Sequence, residues 1–425
     1  MKTLLKNANI VTCDGGKVIY NGCMGYEDGK ILFVGEEVPE KFRWDELIDA
    51  KGNTVMPGLC NAHSHVAMTA LRSYSEGYKL QEWLNDKIFP IEAKLLPEHI
   101  YIFTMLGIAE SLRFGTTLIS DCYYFMDRAA EAYLETGMNA NISRCVMNPV
   151  EEDYSADYRM REAVELYEKY DGKGGIKVEM FPHAVYTCTE KYLALAAETA
   201  RKYNMPVASH LCENLTEVTE CREKYGVSPV EIYKRAGLLD ESASFAHCVV
   251  LDDNDVASLR GHSIVHNPVS NLKLGSGIAD IYKYKENGIN IALGTDGASS
   301  NNNLNMFEEI KLTALLMSGI SGDPSRVDTS EILEMATVNG ARAMKRETKG
   351  ILKAGYDADY IIVNSSDVHH IPNHSIVNNL VYSALGSDVV TTVCNGKILY
   401  NKGEYKTVDV EYIEYEISKI KKELF

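Results

Sequence analysis

The strongest constraint on the fold is an alternation of short apolar runs with amphipathic helical patterns, which extends from about Met56 to Arg346. Such alternation is typical of parallel strands covered by helices. We predict eight strands: Thr54–His63, Thr116–Asp121, Ala140–Arg144, Lys177–His183, Pro206–His210, Ser244–His247, Ser263–His266 and Asn290–Asp296. Each ends on a residue that can bind a metal ion, titrate or form hydrogen bonds. The pattern predicts an α/β fold with a TIM-type (β/α)8 barrel, in which the carboxyl ends of the strands meet at the functional face.

The two ends of the chain carry matching hairpin signals. Asp28-Gly29 and Asn395-Gly396 lie between β-prone runs and lead into nearly the same sequence, Gly-Lys-Ile-Leu-Phe and Gly-Lys-Ile-Leu-Tyr. These dipeptides predict type I′ turns. We therefore predict that residues 1–55 and 348–425 form one small β-sandwich module with a C-terminal helix, which the barrel of residues 56–347 interrupts. A tandem repeat is the alternative, but nothing between the two ends repeats the pattern.

Composition narrows the class of partner. The formal net charge is −17 and no cluster of lysine and arginine resembles a nucleic-acid footprint. We expect a small-molecule substrate, no nucleic-acid partner and no membrane partner, because no apolar run is long enough to span a bilayer. The ten cysteines form no CxxC pair and predict reduced thiols in a cytoplasmic protein. Composition leaves open whether the chain forms a homo-oligomer.

A set of metal-binding residue types lies at the predicted strand ends. His63 and His65 close the first strand, and alternate residues on a strand point to the same side. His210 and Asp296 end the fifth and eighth strands. Three imidazoles and one carboxylate suit Zn²⁺, with Fe²⁺ as the alternative. An open coordination position would hold water, whose pKa on Zn²⁺ falls to about 7, so that hydroxide forms at neutral pH.

Several motifs occur in an order that resembles the amidohydrolase superfamily. They are Met-Pro-Gly-Leu-Cys-Asn-Ala-His-Ser-His (Met56–His65), His210-Leu-Cys-Glu213, Ala246-His247-Cys248, His266-Asn-Pro268, Gly294-Thr-Asp296-Gly297, Gly350-Ile351 and Gly355–Asp359. Within it, Ser270–Ala279 and Asp296–Asn302 are similar to the 5′-methylthioadenosine/S-adenosylhomocysteine deaminases. The resemblance covers essentially the whole chain and implies hydrolytic deamination of an adenosine-like nucleoside to its inosine analogue and ammonia.

The resemblance also implies a mononuclear site. Its metal ligands would be His63, His65, His210 and Asp296. Binuclear relatives bridge two ions with a carboxylated lysine on the fourth strand. Lys177 is the only lysine on that predicted strand, and it begins the strand, far from the functional end. We therefore expect one divalent ion per chain.

Acid–base chemistry is assigned to Glu213, which follows His210 by three residues. A carboxyl group just beyond a strand end can reach a ring nitrogen of a bound purine and shuttle protons. In the expected mechanism hydroxide on the metal attacks carbon 6 while Glu213 protonates the ring. Asp296 takes the proton of the water, and His247 polarises or steadies the attacking oxygen. The alternative for Glu213 is a solvated loop carboxylate.

Four further residues match substrate-binding positions of the resembled family. Glu92, in Phe89-Pro-Ile-Glu92, is the candidate for the ribose hydroxyls, the alternative being a surface helix carboxylate. His183 matches another substrate position. Arg144 and Arg159 match positions that hold the carboxylate of a homocysteine tail.

Two rival functions remain at this point. The first is a hydrolase of the same scaffold that acts on another heterocycle, of the guanine, pterin or triazine type. The second is a non-catalytic scaffold protein that kept the fold. Such proteins usually lose metal ligands, whereas this chain has all of them, and Glu213 as well.

Overall fold

The computed structural model describes residues 1–424, and that part of the chain contains eighteen strands in three sheets. In chain order the strands are β1 (Lys2–Val11), β2 (Val18–Glu27), β3 (Lys30–Gly35), β4 (Glu46–Asp49), β5 (Thr54–Pro57), β6 (Leu59–Ser64), β7 (Thr116–Tyr123), β8 (Asn139–Val146), β9 (Ile176–Val178), β10 (Phe181–Pro182), β11 (Ala208–Leu211), β12 (Ser244–His247), β13 (Ser263–His266), β14 (Asn290–Leu293), β15 (Tyr360–Val363), β16 (Val389–Cys394), β17 (Lys397–Asn401) and β18 (Glu404–Tyr405).

Helices surround the parallel sheets. In chain order they are α1 (Leu80–Glu82), α2 (Phe89–Glu92), α3 (Pro97–Arg113), α4 (Met126–Thr136), α5 (Tyr158–Tyr170), α6 (Glu190–Tyr203), α7 (Leu215–Tyr225), α8 (Pro229–Arg235), α9 (Asp253–Ser258), α10 (Pro268–Lys273), α11 (Ile281–Glu286), α12 (Met306–Ser321), α13 (Thr329–Met335), α14 (Val338–Ala343), α15 (Ile376–Tyr382) and α16 (Val410–Leu424). A π-helical turn, Trp83–Ile88, joins α1 to α2. Short 3₁₀ turns occupy Val66–Leu71, Tyr154–Ala156, Pro324–Arg326, Val368–His370 and Gly386–Asp388. None of these helices is both long and apolar enough to cross a membrane.

Both ends of the chain contribute to one nine-stranded sheet. Its strand order is β18-β17-β16-β15-β5-β1-β2-β3, and β4 pairs with β1. The two predicted hairpin turns are present, with φ of 48° and 80° at Asp28 and Gly29 and of 49° and 74° at Asn395 and Gly396. Positive φ at both central residues is the signature of a type I′ turn. The predicted C-terminal helix is α16, which packs on α3. The sandwich form of this module stays a prediction.

The remaining strands form two parallel sheets whose carboxyl ends carry the site. One has the order β10-β8-β7-β6, with β9 paired to β8, and the other the order β11-β12-β13-β14. An isolated bridge between Met180 and Val207 connects them on one side. On the other side the N–H of Asp296 donates to the carbonyl of His63 at 3.0 Å. The α/β architecture with parallel sheets is as predicted, but the ladders described over residues 1–424 do not close into one continuous barrel.

The first predicted strand, Thr54–His63, is wrong as a single element. Gly58 divides it, so that β5 belongs to the nine-stranded sheet while β6 belongs to a parallel sheet. The backbone at Gly58 lies against Thr117, and a Cβ atom there would come within 2.1 Å of the Thr117 Oγ1. The absence of a side chain thus lets the chain pass from one sheet to the other. Apolar periodicity cannot show this, because both strands are fully buried.

Two other predicted strands are shorter than expected. The fourth is broken into β9 and β10, and the side chain of Glu179 in the break accepts hydrogen bonds from Ser120 and Asn141. The eighth ends at Leu293, so Asp296 lies beyond the strand, with φ of 61°. Positive φ is uncommon for a non-glycine residue and often marks a functional position.

Candidate active site

Three imidazoles and one carboxylate converge at the carboxyl ends of β6, β11 and β14. The Nε2 atoms of His63 and His65 lie 3.5 and 3.3 Å from Oδ1 of Asp296. The Nε2 atom of His210 lies 3.3 Å from Nε2 of His65. His63, His65 and Asp296 form one group of three whose ligand atoms lie within 4.8 Å of one another, and His63, His210 and His247 form a second, so side chains that could hold a small cation are gathered here.

Hydrogen bonds at the rear of the cluster orient these side chains. Nδ1 of His65 is 2.6 Å from the carbonyl of Cys122, and Nδ1 of His210 is 3.0 Å from the carbonyl of His183. A carbonyl there requires the proton on Nδ1, which leaves the Nε2 lone pair directed into the cluster. The Nε2 atom of His63 is buried and has no hydrogen-bond partner within residues 1–424. An unpartnered buried nitrogen of this kind fits a metal ligand.

The carboxylate of Asp296 is held from behind by two hydroxyl groups. Ser270 and Ser300 donate to its Oδ2 at 2.6 and 2.8 Å, which leaves Oδ1 for the histidines. Burial opposes ionisation of this carboxyl, but the imidazoles of His63, His65 and His247 outweigh burial and hold its pKa well below the usual range. Burial lowers the pKa of His63 to about 4 and that of His210 further below its usual value. His63 and His210 are therefore neutral imidazoles and Asp296 is an ionised carboxylate, the protonation states that bind a metal.

Glu213 lies beside this cluster on a constrained turn. Its Oε2 is 3.9 Å from Nε2 of His247. Cys212 has a φ of 49°, and the carboxylate of Glu217 accepts the N–H groups of Cys212 and Glu213 at 3.1 and 2.8 Å. Burial raises the pKa of Glu213, and the nearby His247 only partly offsets this effect. The turn thus directs a carboxyl group with raised proton affinity towards the cluster.

His247 is oriented by amide groups on its other side. Its Nδ1 is 2.8 Å from Oδ1 of Asn271 and 3.4 Å from the amide of Asn267. Burial lowers its pKa, but the carboxylates of Glu213 and Asp296 outweigh burial and leave the pKa raised. His247 can therefore donate a hydrogen bond from Nε2 towards the space between Glu213 and Asp296.

An inner cavity opens in front of the cluster. It has a volume of about 60 Å³ and is bordered by Asp296, Glu213 and His247 on the metal side. The segment Leu80–Glu92, which contains the π-helical turn, covers it with the side chains of Leu80, Trp83, Leu84, Ile88 and Phe89. We name this segment the lid.

The predicted substrate residues fall into two places. His183 and Glu92 border the inner cavity. The His183 ring lies 4.7 Å from that of His210 and its Nδ1 is 2.8 Å from the hydroxyl of Thr187. Glu92 accepts a hydrogen bond of 2.6 Å from Tyr123, and burial raises its pKa to about 7.

Arg144 and Arg159 do not reach the inner cavity. They line a second, outer pocket of about 410 Å³, which Glu92, Phe89 and Tyr124 share with the inner cavity. Arg144 forms an ion pair with Glu162, and Arg159 with Asp157. Arg144 and Arg159, both predicted to bind the carboxylate of a homocysteine tail, therefore line the same pocket. The inner cavity separates this pocket from the histidines and Asp296.

Several contacts of the site were not predicted from the sequence. These residues are Tyr123, Glu162, Glu217, Ser270, Asn271 and Ser300. Ser270, Asn271 and Ser300 lie in the motifs Ser270–Ala279 and Asp296–Asn302, on which the family resemblance rests. That resemblance was the only sequence feature that pointed to these three residues. Tyr123, Glu162 and Glu217 had no such feature. Tyr123 and Glu162 act across elements that pack together only in the folded chain, and Glu217 bonds to a turn four and five residues before it.

The chain is similar to known proteins over almost its whole length. The amidohydrolase family model matches residues 54–399, more than half of the chain. A 5-methylthioadenosine/S-adenosylhomocysteine deaminase of Acetivibrio thermocellus is 42% identical over 99% of both chains. A 5′-deoxyadenosine deaminase of Methanosarcina acetivorans is 40% identical over 96% of this chain and 95% of its own. Among solved structures, an adenosine deaminase of Xanthomonas campestris with bound zinc superposes with a TM-score of 0.94, at 29% identity, over 99% of this chain and 98% of its own.

Proposed function

The chain belongs to the amidohydrolase family, and from this premise we propose that it is a hydrolytic deaminase of adenosine-like nucleosides. It removes the 6-amino group of the purine as ammonia and leaves the inosine analogue. Relatives of about 40% identity carry the names of deaminases of methylthioadenosine, S-adenosylhomocysteine and 5′-deoxyadenosine. The observation that carries the proposal is Glu213 beside the cluster of three histidines and Asp296, at the end of a cavity that Glu92 borders.

One divalent ion belongs to the proposed enzyme. His63, His65, His210 and Asp296 would hold it, with Zn²⁺ first and Fe²⁺ as the alternative. The unpartnered Nε2 of His63 and the separations of 3.3–3.5 Å support this assignment. Such an ion lowers the pKa of a water bound to it and so supplies a nucleophile at neutral pH.

The side chains of this chain move the protons of the reaction. Glu213, whose raised pKa favours the protonated form, gives its proton to the ring nitrogen and so makes carbon 6 electrophilic. Asp296, held ionised, accepts a proton of the attacking water. His247 donates a hydrogen bond to the attacking oxygen from Nε2. The proton of the new hydroxyl group on carbon 6 passes through Glu213 to the amino group, which leaves as ammonia. The proton on Asp296 then returns to Glu213, and one water is consumed.

Substrate binding divides between the two cavities. Glu92 accepts hydrogen bonds from the two ribose hydroxyls, and His183 contacts the substrate near the metal cluster. The 5′-substituent extends past Tyr124 and Phe89 into the outer pocket, where Arg144 and Arg159 meet a carboxylate tail. The inner cavity of about 60 Å³ is smaller than the roughly 300–1,000 Å³ of ordinary ligand pockets, and the outer pocket of about 410 Å³ adjoins it.

Membership of the amidohydrolase family also supports a proposal about the architecture. We read the two parallel sheets as the halves of one (β/α)8 barrel over residues 56–347, joined through the bridge at Met180 and the bond from Asp296 to His63. Residues 1–55 and 348–425 then form the second domain. All ten cysteines are free and buried, which fits the reducing conditions of the cytoplasm.

A parallel assay of ammonia release tests the proposal. Adenosine, 5′-deoxyadenosine, methylthioadenosine and S-adenosylhomocysteine are compared with guanine, a pterin and a chlorinated triazine, for which chloride release is measured as well. We expect release from the adenosine series and none above background from the other three. Activity restricted to guanine, the pterin or the triazine would overturn the assignment.

A further inference from the structure

The outer pocket combines an apolar wall with two guanidinium groups. Tyr158, Met147 and Phe125 contribute to the wall. Arg144 lies over the ring of Tyr124 at 5.1 Å, at the passage from the inner cavity, and Arg159 lies over Tyr158 at 4.6 Å. A group attached to the 5′ position of a nucleoside would meet these two cations first.

Each of the two cations already has a carboxylate partner. Nε of Arg144 donates to Oε2 of Glu162 at 2.8 Å, and Nη1 of Arg159 donates to Oδ2 of Asp157 at 3.1 Å. The side chain of Arg144 is 9% exposed, while that of Glu162 is 45% exposed. These two ion pairs leave no uncompensated positive charge for a simple anion.

The Arg144–Glu162 pair nevertheless keeps free hydrogen-bonding positions. Nη1 of Arg144 donates to the carbonyl of Cys145, but its Nη2 has no hydrogen-bond partner within residues 1–424. Oε1 of Glu162 likewise accepts no hydrogen bond in that part of the chain. A free donor on a cation therefore lies beside a free acceptor on an anion, at the edge of one cavity.

This arrangement is complementary to a zwitterion. An α-amino acid carries a carboxylate and an ammonium on one carbon atom, so the two groups can meet Nη2 of Arg144 and Oε1 of Glu162 together. Resting on the proposed function, we propose that Glu162 is a specificity-determining residue, which binds the α-ammonium of an amino-acid tail and makes the outer pocket select zwitterionic over anionic 5′-substituents. S-adenosylhomocysteine has such a tail.

Three thioether nucleosides test the role of Glu162 in the metal-loaded enzyme. They are S-adenosylhomocysteine, its des-amino analogue 5′-(3-carboxypropylthio)-5′-deoxyadenosine, and methylthioadenosine, which has no charged tail. In Glu162→Gln we expect kcat/KM to fall about threefold to tenfold for S-adenosylhomocysteine, the scale of a partly exposed charge-assisted hydrogen bond. It should rise by a similar factor for the des-amino analogue and change less than twofold for methylthioadenosine.

Two variants separate this role from packing. Glu165→Gln, one turn further along α5 and outside the outer pocket, should leave all three values unchanged. Glu162→Asp, which keeps the charge, should restore part of the preference for S-adenosylhomocysteine. A rise for both charged substrates in Glu162→Gln would mean that Glu162 only competes with the tail carboxylate and would overturn the proposal. An equal fall for all three substrates would do the same.

Failure of the proposed function gives a different result. If the wild-type enzyme deaminates none of the three nucleosides, the deaminase assignment is wrong. The dissociation constants of the same three compounds, measured by calorimetry on wild type and Glu162→Gln, then still decide the role of Glu162, with the same expected order of changes.

Discussion

The two carboxyl groups nearest the reacting position differ in their surroundings rather than in their chemistry. Asp296 faces imidazoles and two serine hydroxyls, so its pKa is held low, while burial raises the pKa of Glu213 and the nearby His247 only partly offsets this effect. Groups whose pKa values are driven apart in this way can act as base and acid at the same pH.

Replacement of Glu213 by glutamine should separate proton transfer from metal binding. We expect Glu213→Gln to keep its metal and to lower kcat by about 10²–10⁴-fold, the usual contribution of general acid–base catalysis. The measurements are metal content and steady-state ammonia release. Glu220→Gln, on the exposed side of α7, is the matched control and should retain wild-type kcat. Activity of Glu213→Gln within a few-fold of wild type would show that another group carries the proton.

Removal of one proposed ligand should remove the ion and the activity together. We expect His63→Ala and Asp296→Ala to lose the single divalent ion measured by elemental analysis, because each change removes one of the four side chains proposed to bind it. His374→Ala, at an exposed position outside the cluster, should keep full occupancy and activity. Full turnover by a protein shown to be metal-free would contradict the assignment.

Glu92 should give ribose recognition a characteristic pH dependence. Its pKa is raised to about 7 by burial, so the carboxylate that accepts both hydroxyls forms as the pH rises through about 7. The ratio of kcat/KM for adenosine to that for free adenine should therefore increase between about pH 6 and 8. Titration of Glu213 or Asp296 cancels in this ratio, and the neighbouring Tyr123 stays neutral because burial raises its pKa well above the usual value.

The matching variant removes that dependence. In Glu92→Gln the ratio of kcat/KM for adenosine to that for free adenine should not change with pH. The ratio should also be lower than in the wild type, by a factor that corresponds to about 1–3 kcal/mol of transition-state stabilisation, since one ribose hydroxyl loses its acceptor. A ratio that still rises through pH 7 in Glu92→Gln would assign the titration to another group.

At the level of elements, local pattern was enough to predict much of the site. His63, His210 and His247 were expected at strand ends, and they lie there because apolar strands that end in polar residues bring those residues to one face. The ion pair of Arg144 with Glu162 could not be predicted, since it depends on how α5 packs over β8. The division of the first strand at Gly58 was missed for the same reason: the adjacent sheet decides it.

The passage between the two sheets at Gly58 should be sensitive to one added methyl group. We expect Gly58→Ala to lower the free energy of unfolding by about 1–3 kcal/mol, because its Cβ would overlap the buried side chain of Thr117. The midpoint of urea unfolding measures this change. Gly35→Ala, where a Cβ would meet no atom within 4 Å, should leave the midpoint unchanged. Equal midpoints for the two variants would show that Thr117 can move away freely.

For the molecule as a whole, the active site lies across the line where the two parallel sheets meet. His63 is on β6 and Asp296 follows β14, and the bond between their backbones spans that line. The positions of His63 and Asp296 relative to each other therefore depend on how closely the two sheets approach at this line.

Gly294 tests this dependence, because it lies on that line. A Cβ atom there would come within 2.5 Å of Oδ1 of Asn267 and within 2.9 Å of the backbone nitrogen and oxygen of His63. We expect Gly294→Ala to displace Asp296, lower metal occupancy and reduce kcat/KM at least tenfold, since small displacements of catalytic groups are costly. Gly319→Ala, at an open position in α12, should be neutral or stabilise by up to about 1 kcal/mol. Unchanged occupancy and activity in Gly294→Ala would mean that the sheets tolerate separation.

The nine-stranded sheet has a consequence for the nascent chain on the ribosome. Strand β5 pairs with β1 early in the chain, but its other neighbour, β15, begins 303 residues after Pro57, at Tyr360. At roughly 5–20 residues per second, translation leaves that edge of β5 unpaired for about 15–60 s. An open apolar strand edge can pair with other chains during that interval. During synthesis β5 therefore has an unpaired edge that can bind other chains, until β15 emerges and pairs with it.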